Sequence, residues 1–235
     1  MIFKYIWYGI YMTCLGIKIS KYFFINLIKG EEAAIEYAFK TTKLWGKFTT
    51  KIVGMDVEIH GEENIPNEAV VFMGNHTSIL DVAVLLAKLK RNVGFIAKKE
   101  MKKVPVFSFW IEKNKSLFLD REDAREGIKV INKGVEQIKE GISMVIFPEG
   151  TRGNGDEVAE FKKGSMKLAT KAKAPIVPMA ISGTYACFEK NRRFTPGKVI
   201  ISYGKPIYTE EISREELKDL NVKVREEVLE LLKTH

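Results

Sequence analysis

His76 and Asp81 stand five residues apart in Asn75-His76-Thr77-Ser78-Ile79-Leu80-Asp81, and their types and spacing suit proton chemistry. An imidazole beside a carboxylate makes a general base with an orienting partner. The carboxylate fixes the tautomer and stabilises the imidazolium formed when the ring takes a proton from an alcohol. Inside one regular helix the two side chains would point about 140° apart and could not touch. The pair therefore works only if His76 precedes a helix. Gly74-Asn75 reads as a turn, Ser78 as an N-cap, and Asp81 falls in the first turn, where its carboxylate can fold back. The same residues also fit a plainer reading, in which Asp81 only caps the helix and His76 only turns the chain.

A second cluster, Phe147-Pro148-Glu149-Gly150-Thr151-Arg152, can hold an anion. The Arg152 guanidinium offers a planar donor fork matched to phosphate oxygens, and Gly150 lets backbone amides approach closely. Glu149 reads as the organiser of this loop rather than as a second base. Arg121, in Phe118-Leu119-Asp120-Arg121, is another candidate phosphate ligand, although a surface ion pair explains it equally well. Lys98 and Lys99 stand where they can supplement it. A base together with an anion site points to acyl transfer onto a phosphate-bearing alcohol.

Other chemistries are poorly supported. Ser78 is accounted for by its cap position, and there is no Gly-x-Ser-x-Gly elbow to present a serine nucleophile. No Gly-x-x-x-x-Gly-Lys-Ser/Thr phosphate loop occurs. The three histidines, His60, His76 and His235, show no zinc-like spacing, so metal hydrolysis is poorly supported; acyl transfer by a histidine base calls for neither a metal nor an organic cofactor. Cys14 and Cys187 make no disulfide framework and fit a reducing compartment. The net charge of +8 calls for an anionic partner without choosing between membrane, nucleic acid and phosphorylated substrate.

The elements that must position these residues follow from apolar runs. Seven of strand length, at 56–59, 69–73, 93–97, 116–119, 143–147, 176–181 and 198–203, alternate with helical patterns at 78–90, 122–140 and 160–173. That rhythm predicts an α/β fold with a mixed, largely parallel sheet flanked by helices. Each polar cluster follows a strand, so the clusters should meet at the sheet's carboxyl edge. A last helix over 214–233 is expected, with Ser213 as cap and a buried stripe of Leu217, Leu220, Val224, Val228 and Leu231.

The amino-terminal end differs in composition. Residues 1–28 are rich in Ile, Phe, Tyr, Trp and Leu, and the uncharged stretch Tyr5–Ile17 has thirteen residues, short of the roughly 20 needed to cross a bilayer. Lysines on both sides and no small-residue cleavage site argue against a signal peptide. The next segment, Glu31–Lys51, reads as a helix with Lys40, Lys43, Lys47 and Lys51 along one face and Phe39, Trp45 and Phe48 as aromatic anchors. Insertion into the headgroup layer, a hairpin packed on the catalytic domain and a true span all fit, and length and charge favour insertion. The expected division is a membrane-anchoring two-helix segment, 1–54, and a catalytic domain, 55–235.

Taken in order, Asn75-His76-x-x-x-x-Asp81, Phe118-Leu119-Asp120-Arg121, Phe147-Pro148-Glu149-Gly150-Thr151-Arg152 and Val177-Pro178-Met179-Ala180-Ile181 resemble the four blocks of the glycerolipid acyltransferases, in particular the bacterial 1-acyl-sn-glycerol-3-phosphate acyltransferases. The resemblance implies a His76–Asp81 catalytic dyad, a glycerol-phosphate site made by Arg121 and the 149–152 loop, and a shaping role for Pro178. It implies transfer of a fatty acyl group from acyl-CoA or acyl carrier protein to the sn-2 hydroxyl of lysophosphatidic acid, giving phosphatidic acid. The likeness extends to a two-helix membrane-binding start, and the length and charge of these helices lead us to expect monotopic attachment to the cytoplasmic face of the cell membrane, with anionic lipid rather than nucleic acid facing the basic charge. An acyltransferase for another lysolipid and a non-catalytic lipid-binding protein remain as alternatives. One position departs from the pattern: Lys115 stands where the family usually has glycine.

Overall fold

A computed structural model describes residues 2–120, 123–155 and 157–234. Two long helices open the chain, α1 (Ile2–Lys29) and α2 (Glu31–Val53). Seven strands follow: β1 (Met55–His60), β2 (Val71–Gly74), β3 (Val93–Lys98), β4 (Leu117–Leu119), β5 (Ser143–Ile146), β6 (Ile176–Ser182) and β7 (Gly197–Tyr203). Between and after them lie α3 (Leu80–Lys88), α4 (Pro105–Lys113), α5 (Ala124–Lys139), α6 (Lys163–Ala172), the single turn α7 (Thr184–Cys187) and α8 (Leu220–Lys233).

The strands form one sheet in the order β1-β7-β6-β2-β5-β3-β4. Strands β6, β2, β5, β3 and β4 run parallel to one another. Strand β7 is antiparallel to β6, and β1 pairs parallel with β7, so these two run the other way. The sheet is thus mixed and largely parallel, as the alternation of runs implies. Its central strands are apolar at consecutive positions because both faces are covered. Val71 and Met73 face a core completed by α5, α6 and α8. Val70 and Phe72 face the opposite core, with α3 and the end of α2.

Helix α2 belongs to that second layer. Gly46 lies so close to α3 that a Cβ there would meet the Ala83 carbonyl oxygen at 2.5 Å, and only glycine permits this approach. Helix α1 packs on α2 from outside. Tyr11 stacks on Phe48 with ring centroids 3.9 Å apart, and the Trp45 indole N–H donates to the Tyr8 hydroxyl at 3.2 Å. Its outer side leaves Ile2, Phe3, Trp7, Ile17, Phe23, Phe24, Leu27 and Ile28 exposed. No helix among the described residues is long and apolar enough to cross a membrane.

Several expectations need correction. Phe39 is buried, and Trp45 and Phe48 are spent in the α1–α2 contact, so none of the three is a free lipid anchor. Lys43 turns inward and donates to the Leu89 carbonyl at 2.9 Å, leaving Lys40, Lys47 and Lys51 exposed on that helix. Burial, with Lys47 adding repulsion, holds the Lys43 ammonium below its usual pKa. Helix α4 lies where the apolar runs named no helix, and its Trp110 donates to the Leu15 carbonyl at 3.1 Å and fastens α1 to the body. Helix α8 starts six residues later than expected, at Leu220. Ser213 and Glu216 do bond reciprocally, but they close a separate 3₁₀ turn over Glu216–Lys218, and Leu217 is exposed.

Candidate active site

Parallel strands bring their following loops to one edge. His76 follows β2, Lys98 ends β3, Asp120 follows β4, Glu149 to Arg152 follow β5, and Ser182 to Thr184 end β6 and begin α7. Asn75 sets the exit from β2. Its side-chain amide donates to the Ile181 carbonyl at 2.8 Å, and its oxygen accepts from the Ile181 N–H at 2.9 Å. The buried side chain thus imitates a strand residue beyond the last β2 pairing.

His76 does precede the helix. Asp81, in the first turn of α3, folds back so that Oδ2 lies 2.8 Å from His76 Nδ1 and accepts from the Thr77 and Ser78 amides at 2.9 Å each. Its Oδ1 accepts from the Thr184 hydroxyl. Asp81 itself therefore closes this turn. Ser78 is not the residue preceding the helix; that is Ile79, and the Ser78 hydroxyl accepts from Leu80 N–H at 3.1 Å. The carboxylate is fully buried yet surrounded by donors, the condition under which a buried charge is tolerated. With Nδ1 directed at a carboxylate, the proton resides there and Nε2 is left as the acceptor. Among the described residues Nε2 has no hydrogen-bond partner, and the ring, on a side chain 18% exposed, lies flat on Phe147 at a centroid distance of 4.1 Å.

The second cluster is bonded directly to the first. Glu149 Oε1 accepts from the His76 amide at 2.7 Å, and its Oε2 accepts from the Ala159 amide at 2.9 Å. The His76 carbonyl in turn accepts from Gly153 N–H at 2.8 Å. Both backbone polar groups of the histidine are therefore held by the loop after β5, and base and loop form one unit. Burial pushes the Glu149 carboxyl up, while the two amides and the nearby imidazole pull it back only in part. Gly150 turns this loop with φ 79°, a region that side-chain-bearing residues avoid.

The expected anion ligands have differing surroundings. Arg152 is half-exposed, and its Nη1 lies 2.8 Å from Glu189 Oε1, which also accepts from the Ile79 amide. Thr151 is exposed. Lys98 and Lys99 project to solvent beside Glu100, at 3.5 Å, and Asp120, at 2.5 Å. Arg121 lies outside the described residues. Pro178 is buried on β6, in register with Met73. Thr184 and Glu189 complete the site without any signal in the sequence around His76, since both arrive from more than a hundred residues away. Among the described residues no group of His, Cys, Asp and Glu could hold a metal ion.

Comparison with known proteins shows the family. A family model described as Acyltransferase matches residues 56–182, which contain all four blocks. The chain is 34% identical over 186 residues to the 1-acyl-sn-glycerol-3-phosphate acyltransferase of Saccharomyces cerevisiae, covering 77% of this chain and 61% of that protein. It is 31% identical over 176 residues to a protein of the same name from Cocos nucifera, of which it covers 56%. The match thus spans less than two thirds of either relative's length. Against the Borreliella burgdorferi protein of that name, identity is 28% over 190 residues, covering 80% of this chain and 76% of the relative. The crystal structure of the 1-acyl-sn-glycerophosphate acyltransferase PlsC from Thermotoga maritima superposes with a TM-score of 0.82 at 29% identity, covering 99% of this chain and 93% of the other. With the family match embracing His76, Asp81 and the 149–152 loop, and the likeness of fold running almost end to end, the chain belongs to the acyltransferase family.

Proposed function

We propose that this protein transfers a fatty acyl group from an acyl thioester, acyl-CoA or acyl carrier protein, to the sn-2 hydroxyl of 1-acyl-sn-glycerol 3-phosphate, giving phosphatidic acid. The observation that carries this reading is the His76–Asp81 contact at 2.8 Å, with Nε2 unengaged and the histidine backbone bonded to the Glu149–Arg152 loop. The activity in the names of the relatives supports it.

In this scheme His76 Nε2 takes the proton of the acceptor hydroxyl as its oxygen attacks the thioester carbonyl. Asp81 steadies the resulting imidazolium. The tetrahedral intermediate expels the thiolate, the C–S bond breaks as the ester forms, and the imidazolium returns its proton to sulfur. No covalent enzyme intermediate is required. The described cysteines agree with that, Cys187 being buried with its thiol pushed up by burial, and Cys14 lying on α1. The loop containing Gly150, Thr151 and Arg152, together with Arg121 and Lys98, binds the acceptor phosphate in this reading. Glu149 keeps that loop against His76.

The membrane part of the proposal rests on α1. Its exposed aromatic and aliphatic residues, with Lys40, Lys47 and Lys51 on the next helix, suit monotopic attachment to an anionic cytoplasmic leaflet. The test is product analysis with a panel of defined lysolipids and both thioester types. Phosphatidic acid formed from lysophosphatidic acid in preference to products from other lysolipids supports the reading. Preference for another lysolipid redirects it to that acceptor, and lipid retention without turnover leaves only a binding protein.

A further inference from the structure

A phosphate ligand must have positive charge to spare, and Arg152 has already committed much of its own. Its guanidinium is 2.8 Å from the Glu189 carboxylate, whose side chain is only 8% exposed, so the neutralising charge cannot simply swing away into water. Lys98 and Lys99 also stand beside carboxylates. Lys162 differs. Its main-chain N–H donates to the Pro148 carbonyl at 3.0 Å, which ties it to the loop after β5. Its side chain then lies across Gly150: a Cβ placed on that glycine would meet Lys162 Nζ at 2.8 Å, Cε at 3.1 Å and Cδ at 3.5 Å. Among the described residues the ammonium has neither an ion-pair nor a hydrogen-bond partner, and the residue is exposed. Three donors on a strongly hydrated charge can be turned toward phosphate oxygens as these arrive.

We infer that Lys162 is a further binding residue for the acceptor's phosphate, supplying over Gly150 the charge that Glu189 offsets at Arg152. This rests on the proposed function and adds a residue to it. The lysine engages the phosphate in the ground state and the transition state alike, so its removal raises KM for the acceptor and leaves kcat nearly unchanged. Loss of one charge-assisted contact, about 1.5–3 kcal/mol, corresponds to roughly a 10–100-fold rise.

The test compares wild type, Lys162→Gln and Lys162→Arg in mixed micelles of 1-acyl-sn-glycerol 3-phosphate, with co-sedimentation on phosphatidylglycerol vesicles as a separate measure of surface binding. Support consists of a tenfold or larger rise in acceptor KM for Lys162→Gln, substantial recovery in Lys162→Arg, and unchanged donor KM and vesicle binding. An unchanged acceptor KM in a wild-type-active background overturns the role of Lys162 alone. So does a rise confined to the donor, or one matched by equal loss of vesicle binding. Wild-type protein that does not acylate this acceptor overturns the proposed function and, with it, this assignment.

Discussion

The carboxyl edge of the sheet and the outer face of α1 depart from ordinary surface and core chemistry in opposite directions. At the edge, Asp81 is fully buried and Glu149 nearly so, each held by several donors. On α1, Phe3, Trp7, Phe24 and Leu27 are exposed. Buried carboxylates are tolerated only where their donors are fixed in place, so the edge is rigid because of its charges. Large apolar side chains exposed together along one helix mark an interaction site. The first region is organised by bonds already made, the second by contacts still to be made. Mutations should therefore damage the two regions differently: edge variants should alter turnover or stability in any medium, and α1 variants should matter only where a lipid surface is present.

The largest expected effect is at His76. Replacing it with alanine should lower turnover about 10²–10⁴-fold, the usual contribution of a general base, with acceptor binding retained. Its backbone bonds persist without the side chain, and the packing lost is mainly the ring's contact with Phe147, so the thermal midpoint should fall only modestly. Asp81→Asn should reduce turnover less than His76→Ala while destabilising the protein more. An asparagine would turn an NH₂ toward donors that Asp81 now accepts, and leaving such buried groups unpaired costs about 1–3 kcal/mol. A denaturant titration showing Asp81→Asn as stable as wild type would contradict the rigid-edge half of the comparison.

Glu149 sharpens the same point through pH. Its folded-state pKa is raised, chiefly by burial, so the native protein holds this proton more tightly than the unfolded chain. Stability from this group is therefore fully present below the unfolded value of about 4.3 and is lost as pH rises through the higher folded value. Glu149→Gln should flatten that slope in urea titrations between acidic and neutral pH. It should also lower stability at all pH values, since one of the two amides at His76 and Ala159 loses its acceptor.

On the other side of the comparison, changing Lys40, Lys47 and Lys51 to glutamine should weaken binding to anionic vesicles by on the order of 1 kcal/mol per charge, and high salt should mimic the change. Lys43→Gln should affect vesicle binding less, because its ammonium is bonded to the Leu89 carbonyl. The smallest effect is expected at Lys115, which occupies the left-handed region with φ 63°. The side chain there costs about 1–2 kcal/mol, and glycine returns part of that gain by loosening the unfolded chain. Lys115→Gly should thus be neutral to slightly stabilising by calorimetry. The departure from the family's usual glycine leaves the backbone in a conformation that glycine adopts freely.

What could be read from residue order alone follows the range of the interactions. The central strands are runs of consecutive apolar residues, β1 alternates apolar and polar ones, and the His76–Asp81 contact lies within one turn, so all of these are local patterns. Helix α4 has no such pattern: Val106, Phe107, Phe109, Trp110 and Ile111 give no clean helical stripe, and Val106, Phe109 and Trp110 pack in a cluster with residues of α1 and α2. The lysine stripe was legible as a stripe, but Lys43 is turned inward by a carbonyl 46 residues away. Thr184 and Glu189 reach the site through tertiary contacts at separations of 103 and 110 residues, beyond any local spacing rule.

The central claim is that the imidazole of His76 deprotonates the acceptor hydroxyl. Its most direct test is a single-turnover measurement with labelled acyl thioester and 1-acyl-sn-glycerol 3-phosphate at saturating protein, comparing wild type with His76→Ala and resolving the product by acyl position. The account predicts sn-2-labelled phosphatidic acid from wild type, and from His76→Ala a rate at least about a hundredfold lower despite unchanged acceptor affinity. Transfer by His76→Ala at close to the wild-type rate would contradict it.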